Sequence, residues 1–376
     1  RTCCVHSELA AMLNVAYRET LQLELMVQSE PFSAVNLDVI VPNLHRRYSG
    51  VTATNRMVAP KLARRVRAAW LGSYAPEGVA RMRARDLFRL WGRRRPLIWH
   101  ARRNNEMLVG IVLRDVLRMP LKLLFTSAAQ RHHTAFTKAL IRRMDAVVAT
   151  STRSGAFLEV PHTVVMHGVD TRTFHPAASG EPVNATGLPG EFLVGCTGRI
   201  RHQKGTDLFV DAMVTLLPRY PAWTVVIAGR VTAEHENFAA ALRAKIAAAG
   251  LADRIVFLGE VEDIKPWYRH FDLFVAPSRN EGFGLTPLEA MASATAVVTS
   301  DAGAYAEMVV EGQTGSVVAA GDGAPLQAAI ERYLRDPEIA RTHGINARAH
   351  VETHFDIANE VAGLTRVYDA LWTSAL

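Results

Sequence analysis

Asp272-Leu273-Phe274-Val275-Ala276-Pro277-Ser278 leads into Glu281-Gly282-Phe283-Gly284-Leu285-Thr286-Pro287-Leu288-Glu289, and the reading of this pair of segments decides the fold. The first is a short, bounded apolar run of the kind that forms a buried strand. The second opens a helix expected from Leu285 to Ala294, with Pro287 in its first turn, where a missing N–H breaks no helical hydrogen bond. Strand, glycine-bearing loop and helix follow in that order. The amides of Phe283, Gly284, Leu285 and Thr286 therefore fall at the positive end of a helix dipole, which favours an anion. Glu281 precedes the helix and Glu289 lies about a turn inside it, so both can face a ligand whose phosphates rest on the helix start. Alone, such a pair of acids reads as a helix cap and a solvated helix residue.

Upstream, Phe192–Thr197 is a second strand, closed by Gly198-Arg199-Ile200-Arg201-His202-Gln203-Lys204-Gly205 before a helix over 206–217. A cationic loop at a strand end suits a diphosphate: Arg199 can fork to two oxygens and Lys204 supplies a point charge. Strands at Trp223–Ala228, Ile255–Gly259, Leu273 and Ala296–Ser300 alternate with helices near 234–249 and 264–270. This alternation predicts a parallel, doubly wound α/β sheet. Helices are expected at 326–334, 337–353 and 356–372.

The front half reads similarly. Strands are expected at 35–42, 96–100, 121–126 and 145–151, and a polar loop from Asn43 to Thr54, with Gly50 its lone glycine, enters a helix from about Asn55. Arg81 to Arg95, with Leu87, Phe88, Leu90 and Trp91 interleaved, reads as a basic amphipathic helix suited to anionic headgroups, or as a solvated helix face. Ligands of open parallel sheets bind outside the carboxyl ends of strands. His100, Arg102 and Arg103, at such an end, are therefore candidates for an acidic acceptor. His132 and His133 follow the next strand, and no base is assigned among the three histidines. No carboxylate and histidine spacing points to a metal.

A chain of 376 residues, 49% apolar, is long enough for two domains. Its formal charge of +7 is uneven: Leu44 to Arg143 holds 23 Lys and Arg against 4 Asp and Glu, leaving 20 against 32 elsewhere. Such a basic block points to an anionic partner. Cys3, Cys4 and Cys196 form no disulfide framework, which fits a reduced compartment. No apolar run reaches the length of a membrane span, and Glu8, Arg18, Glu19 and Glu24 interrupt any secretory signal. Residues 1–25 stand apart from the strand-like alternation that begins at Val35, and Met26 is a candidate natural start.

The string from Glu281 to Glu289 resembles the E-x7-E signature of family 4 retaining glycosyltransferases, and Gly198 to Gly205 resembles that family's G-R-x(4-5)-K-G loop. His167-Gly168-Val169-Asp170 with Phe174-His175-Pro176 looks like its crossover between domains. The resemblance covers about residues 35 to 376 and implies the GT-B fold: two Rossmann-like doubly wound α/β domains facing across a cleft. It divides the chain into an extension of uncertain role (1–34), an acceptor domain (35–176), a nucleotide-sugar domain (177–354) and a helix returning to the first domain (355–376). By position, Glu281 contacts the transferred sugar, Glu289 holds the ribose hydroxyls, and Phe283 to Thr286 bind the diphosphate with Arg199 and Lys204. Gly50 falls in the loop near the donor phosphates and Val261 near the base. That loop holds one glycine where the family has several, and Ala294 replaces a usual glycine of the family.

Pro42 to Thr52 together with Trp99 to Glu106 looks like the mannosyltransferases of lipopolysaccharide core synthesis. This implies metal-independent transfer of mannose from GDP-mannose, with no cofactor, to an anionic acceptor such as Kdo-lipid A. It places the protein in the cytoplasm, peripheral on the inner membrane, with no nucleic acid as partner. Two alternatives are a family 4 enzyme using UDP- or ADP-glucose on another glycan or lipid, and a basic nucleic-acid-binding protein without catalytic activity.

Overall fold

The computed structural model describes residues 36–91, 93, 95–178 and 186–373. The expected extension, Met26, Cys3, Cys4 and the middle of the Pro/Gly linker lie outside the described residues. Contacts divide the chain into two compact units: one runs to Phe125 and includes Arg143–Asp145 and the chain from Tyr368 on, the other takes Thr126–Arg142 and Ala146–Val367.

Both sheets are parallel wherever their register is defined. The first has the order β3-β2-β1-β4-β5-β6-β7, with β1 at Val39–Asn43, β2 at Ala68–Gly72, β3 at Ala80–Met82, β4 at Leu97–Ala101, β5 at Leu121–Ser127, β6 at Ala146–Ala149 and β7 at Thr163–Val164. The second has the order β10-β9-β8-β11-β12-β13, with β8 at Phe192–Thr197, β9 at Trp223–Ala228, β10 at Ile255–Gly259, β11 at Leu273–Ala276, β12 at Ala296–Ser300 and β13 at Gly315–Val318. In each sheet the chain first winds one way and then reverses. The reversal falls between β1 and β4 in one and between β8 and β11 in the other, and these are the points where open α/β sheets bind ligands.

Alternation along the strands of the second sheet builds two cores. Val194, Cys196, Leu273, Val275, Ala296 and Val298 face the helices Thr206–Leu216, Glu236–Ala248 and Gly323–Arg335. Leu193, Phe274, Ala276 and Val297 face the other way, onto the helices Lys265–His270, Thr286–Ala292 and Pro337–His354. The Cys196 thiol is buried in the first of these cores, which pushes its pKa up to about 12 and keeps it unreactive.

Two sequence expectations change. Arg81 to Arg95 is not one amphipathic helix: β3 pairs with β2, a 3₁₀ segment covers Ala84–Leu90, and Arg83 N donates to the Asp86 carboxylate at 2.9 Å. Arginines at short intervals among apolar residues mimic a helical period, but strand pairing takes Ala80–Met82. The helix expected from Asn55 starts at Gly50, where Ser49 caps it by accepting from Thr52 N. Ala294, where the family has glycine, adopts φ of 62°, a left-handed conformation that an L side chain occupies at a cost.

Candidate active site

At the reversal of the second sheet, the loop after β8 meets the loop after β11. Gly205 makes this approach possible. Its φ is 68°, and a Cβ there would collide with the Pro277 carbonyl. Arg279 ties the two loops together: its amide donates to Gln203 O at 2.8 Å, Nη1 donates to His202 O at 2.8 Å, and the guanidinium forks onto Asp207 with both contacts at 2.7 Å. Lys204 Nζ is thereby placed in an ion pair with Glu281, both side chains about four-fifths buried. The second Glu281 oxygen accepts from Gly282 N at 3.2 Å.

Arg199 is exposed on the first loop. With Lys204, Gly198, Thr286 and Tyr305 it lines a small cleft at the carboxyl ends of β8 and β11. The helix Thr286–Ala292 begins with Pro287 in its first turn and has no side-chain cap. The positive end of its dipole and its first amides therefore face the same loop junction. Phe283 is buried, and its ring meets His167 edge-on at 5.0 Å. Gly284 has φ of 88°, which lets the chain turn under the Tyr305 ring. Leu285 is half-buried at the helix cap position.

Glu289 is held on the inner side of that helix. Its Oε2 accepts from Tyr268 Oη at 2.8 Å. Burial raises the Glu289 pKa, while the Tyr268 hydrogen bond and the Lys204 charge act against the rise. Val261 lies two residues past β10, at the same carboxyl end of the sheet but on the edge strand. Thus Arg199, Lys204, Glu281, Glu289 and Phe283 to Thr286 come together around one reversal point, and Val261 borders the same sheet end. Sequence reasoning missed Tyr268, Arg279 and Asp207. A fork between Arg279 and Asp207 carries no local signature because the partners are 72 residues apart.

The first unit arranges its candidates differently. Arg103 Nη1 donates to Asn43 Oδ1 at 2.8 Å and Glu106 Oε1 at 2.9 Å, and Nη2 donates to Ser49 Oγ and Thr52 Oγ1, each at 2.9 Å. The guanidinium thereby ties the loop after β1 to the start of the helix Asn104–Ile111. His100 is 1% exposed. Its Nδ1 bonds Tyr368 Oη at 2.8 Å, and burial holds its pKa well below the usual value. β4 is buried throughout, and the His100 side chain packs inward with it. Arg102 is half-buried, with its amide donating to Glu106 Oε2 at 2.8 Å. Gly50 is the first residue of its helix, and a Cβ there would meet nothing within 4 Å, so no close approach of protein atoms demands a glycine. Among the described residues, no cluster of three or more His, Cys, Asp or Glu side chains could hold a metal ion.

Two Rossmann-like units, one with a cationic loop and an acid-flanked helix start at its topological switch point, define a glycosyltransferase of the GT-B fold. The Anabaena protein Alr3699/HepE, solved in complex with UDP and glucose, superimposes with a TM-score of 0.75 at 19% identity, covering 89% of this chain and 100% of that one. A sucrose-phosphate synthase from Thermosynechococcus elongatus does so with a TM-score of 0.73 at 21% identity, covering 90% of this chain and 100% of its own. The family model of the group 1 glycosyl transferases matches residues 191–336, and two near full-length relatives place the chain in the family of lipopolysaccharide core mannosyltransferases. The chain is 60% identical over 341 residues to the lipopolysaccharide core biosynthesis mannosyltransferase LpcC of Rhizobium leguminosarum bv. viciae, covering 89% of this chain and 97% of that one. Identity to LpsB of Rhizobium meliloti, which carries the same description, is 48% over 344 residues, covering 89% of this chain and 98% of that one.

Proposed function

We propose that this chain transfers mannose from GDP-mannose, with retention of configuration and without a metal, to the Kdo/lipid A inner core during lipopolysaccharide biosynthesis. The observation that carries the reading is the convergence of Arg199, Lys204, Glu281 and Glu289 on one switch point. The names of its full-length relatives favour mannose and the lipopolysaccharide core. In the proposed reaction the bond from sugar C1 to the diphosphate oxygen breaks and its electron pair passes to the phosphate, where Arg199, Lys204 and the amides after Glu281 stabilise the growing charge. Glu281 lies against the oxocarbenium-like sugar. The acceptor hydroxyl bonds C1 from the face the nucleotide leaves, and its proton goes to the departing phosphate oxygen.

A donor panel tests the reading. GDP should be released from GDP-mannose faster than UDP is released from UDP-glucose or UDP-GlcNAc, in the presence of a chelator and a Kdo-lipid A acceptor. Faster release from either UDP-sugar would move the chain to the alternative donor class, and no release from any donor would contradict the enzyme reading.

The same proposal seats the first unit on the anionic, cytoplasmic face of the inner membrane. Phe88 and Trp91 are 68% and 46% exposed and stack with centroids 6.3 Å apart, among exposed Arg81, Arg83, Arg85 and Arg89. No described helix is long and apolar enough to cross a membrane, so attachment by this reading is at the surface. Replacing Phe88 and Trp91 with serine should weaken binding to phosphatidylglycerol vesicles at least about tenfold, since each aromatic contributes about 1.5–3 kcal/mol when buried. Unchanged sedimentation with vesicles would remove the membrane assignment.

A further inference from the structure

We infer that Tyr268 is a positioning residue that sets the carboxylate of Glu289 for the nucleotide ribose, with Thr197 behind it as the second member of a hydrogen-bond relay. The inference rests on the donor-site reading of Glu289. Tyr268 is fully buried in the helix Lys265–His270, and its ring packs against Phe174, Phe271 and Phe274 with centroids 5.5 to 6.0 Å away. That aromatic cluster would accept phenylalanine equally well. What the phenol adds is one hydroxyl, and its two partners flank the donor loops: Thr197 is the last residue of β8 and Glu289 lies in the helix Thr286–Ala292. Tyr268 Oη donates to Glu289 Oε2 at 2.8 Å, and Thr197 Oγ1 lies 2.8 Å from Tyr268 Oη.

A phenol has a single proton. With that proton on the bond to Glu289, Thr197 must donate to Tyr268, so the direction of the relay is fixed from β8 through the phenol to the acid. Thr197 immediately precedes Gly198 and Arg199, so the relay joins the diphosphate loop to the ribose acid through the buried tyrosine. With Oε2 anchored, the carboxylate is held in one orientation and Oε1 is left to accept from ribose hydroxyls. Losing the anchor frees the carboxylate to rotate and makes its ionised form costlier in a buried place.

The test compares GDP with 2′,3′-dideoxy-GDP as inhibitors of transfer from GDP-mannose, using the full chain. Wild type should bind GDP about tenfold or more tightly than the dideoxy compound, the scale of a hydrogen bond to a charged group. Tyr268→Phe should close that gap to about twofold, raise the donor KM about tenfold and hold kcat within about threefold, while dideoxy-GDP inhibition stays at the wild-type level. A wild-type gap that persists in Tyr268→Phe overturns the inference while leaving Glu289 as the ribose residue. A wild type with no gap overturns the ribose role of Glu289 itself. Should Tyr268→Phe fail to fold, Thr197→Val, which removes the donor behind the phenol, is to narrow the gap severalfold; an undiminished gap there overturns the relay.

Discussion

Lys204→Ala should lower the transfer rate by about 100- to 1000-fold, the usual loss when one group that stabilises charge in a transition state is removed. Lys204 lines the cleft beside Thr286 at the helix start, and it is paired there with Glu281 on a loop that Arg279 holds. In alanine's place the Glu281 charge would stand unopposed beside an arriving diphosphate, so ground-state donor binding should weaken as well. Stability should fall by about 1–3 kcal/mol, because the change leaves the mostly buried Glu281 carboxylate without its partner. Lys204→Arg should recover part of the rate, since the charge returns on a longer, planar head. Single-turnover rates with a melting curve of each variant check this. A rate within about fivefold of wild type for a well-folded Lys204→Ala would remove the lysine from the leaving-group role.

Glu281→Ala should lower kcat by at least about 100-fold with a different binding signature. On the proposed reading the carboxylate, paired with Lys204, would compete with the donor phosphates for it and repel them. Its removal should therefore leave donor KM unchanged or lowered, the pattern of a group that acts in the transition state and not in ground-state binding. Glu281→Gln, which keeps the shape and a hydrogen-bonding oxygen, should lie between wild type and alanine. Steady-state kcat and KM measured separately decide the matter. A large rise in KM with kcat intact would make Glu281 a binding residue only.

Much of the second sheet was legible in the sequence because its strands are buried on both faces. Runs such as Trp223–Ala228 and Ala296–Ser300 have apolar lengths that only a covered parallel strand explains, and they end at the residues where the structure ends them. The positions of Arg199, Lys204 and Glu281 in the fold were legible because each follows such a strand. The front half was harder to read. Ser49 and Thr52 carried a helix-start signal three residues apart that the polar loop around them concealed. Alternating arginine and apolar residues from Arg81 suggested a helix, while the structure uses them for a strand and a 3₁₀ segment. The bond from His100 to Tyr368 was not legible, because the partner lies 268 positions away along the chain. Tyr268 was hidden for the same reason: its partners lie 71 and 21 residues off, and only the fold assembles them.

Mass analysis of the acceptor tests the central claim most directly. Purified chain incubated with GDP-mannose, Kdo-lipid A and a chelator should convert the acceptor to a species heavier by one hexose, with the new linkage in the α configuration of the donor. An acceptor that stays unmodified under GDP-mannose yet gains a sugar from a UDP-linked donor, or a product of inverted configuration, would contradict the account.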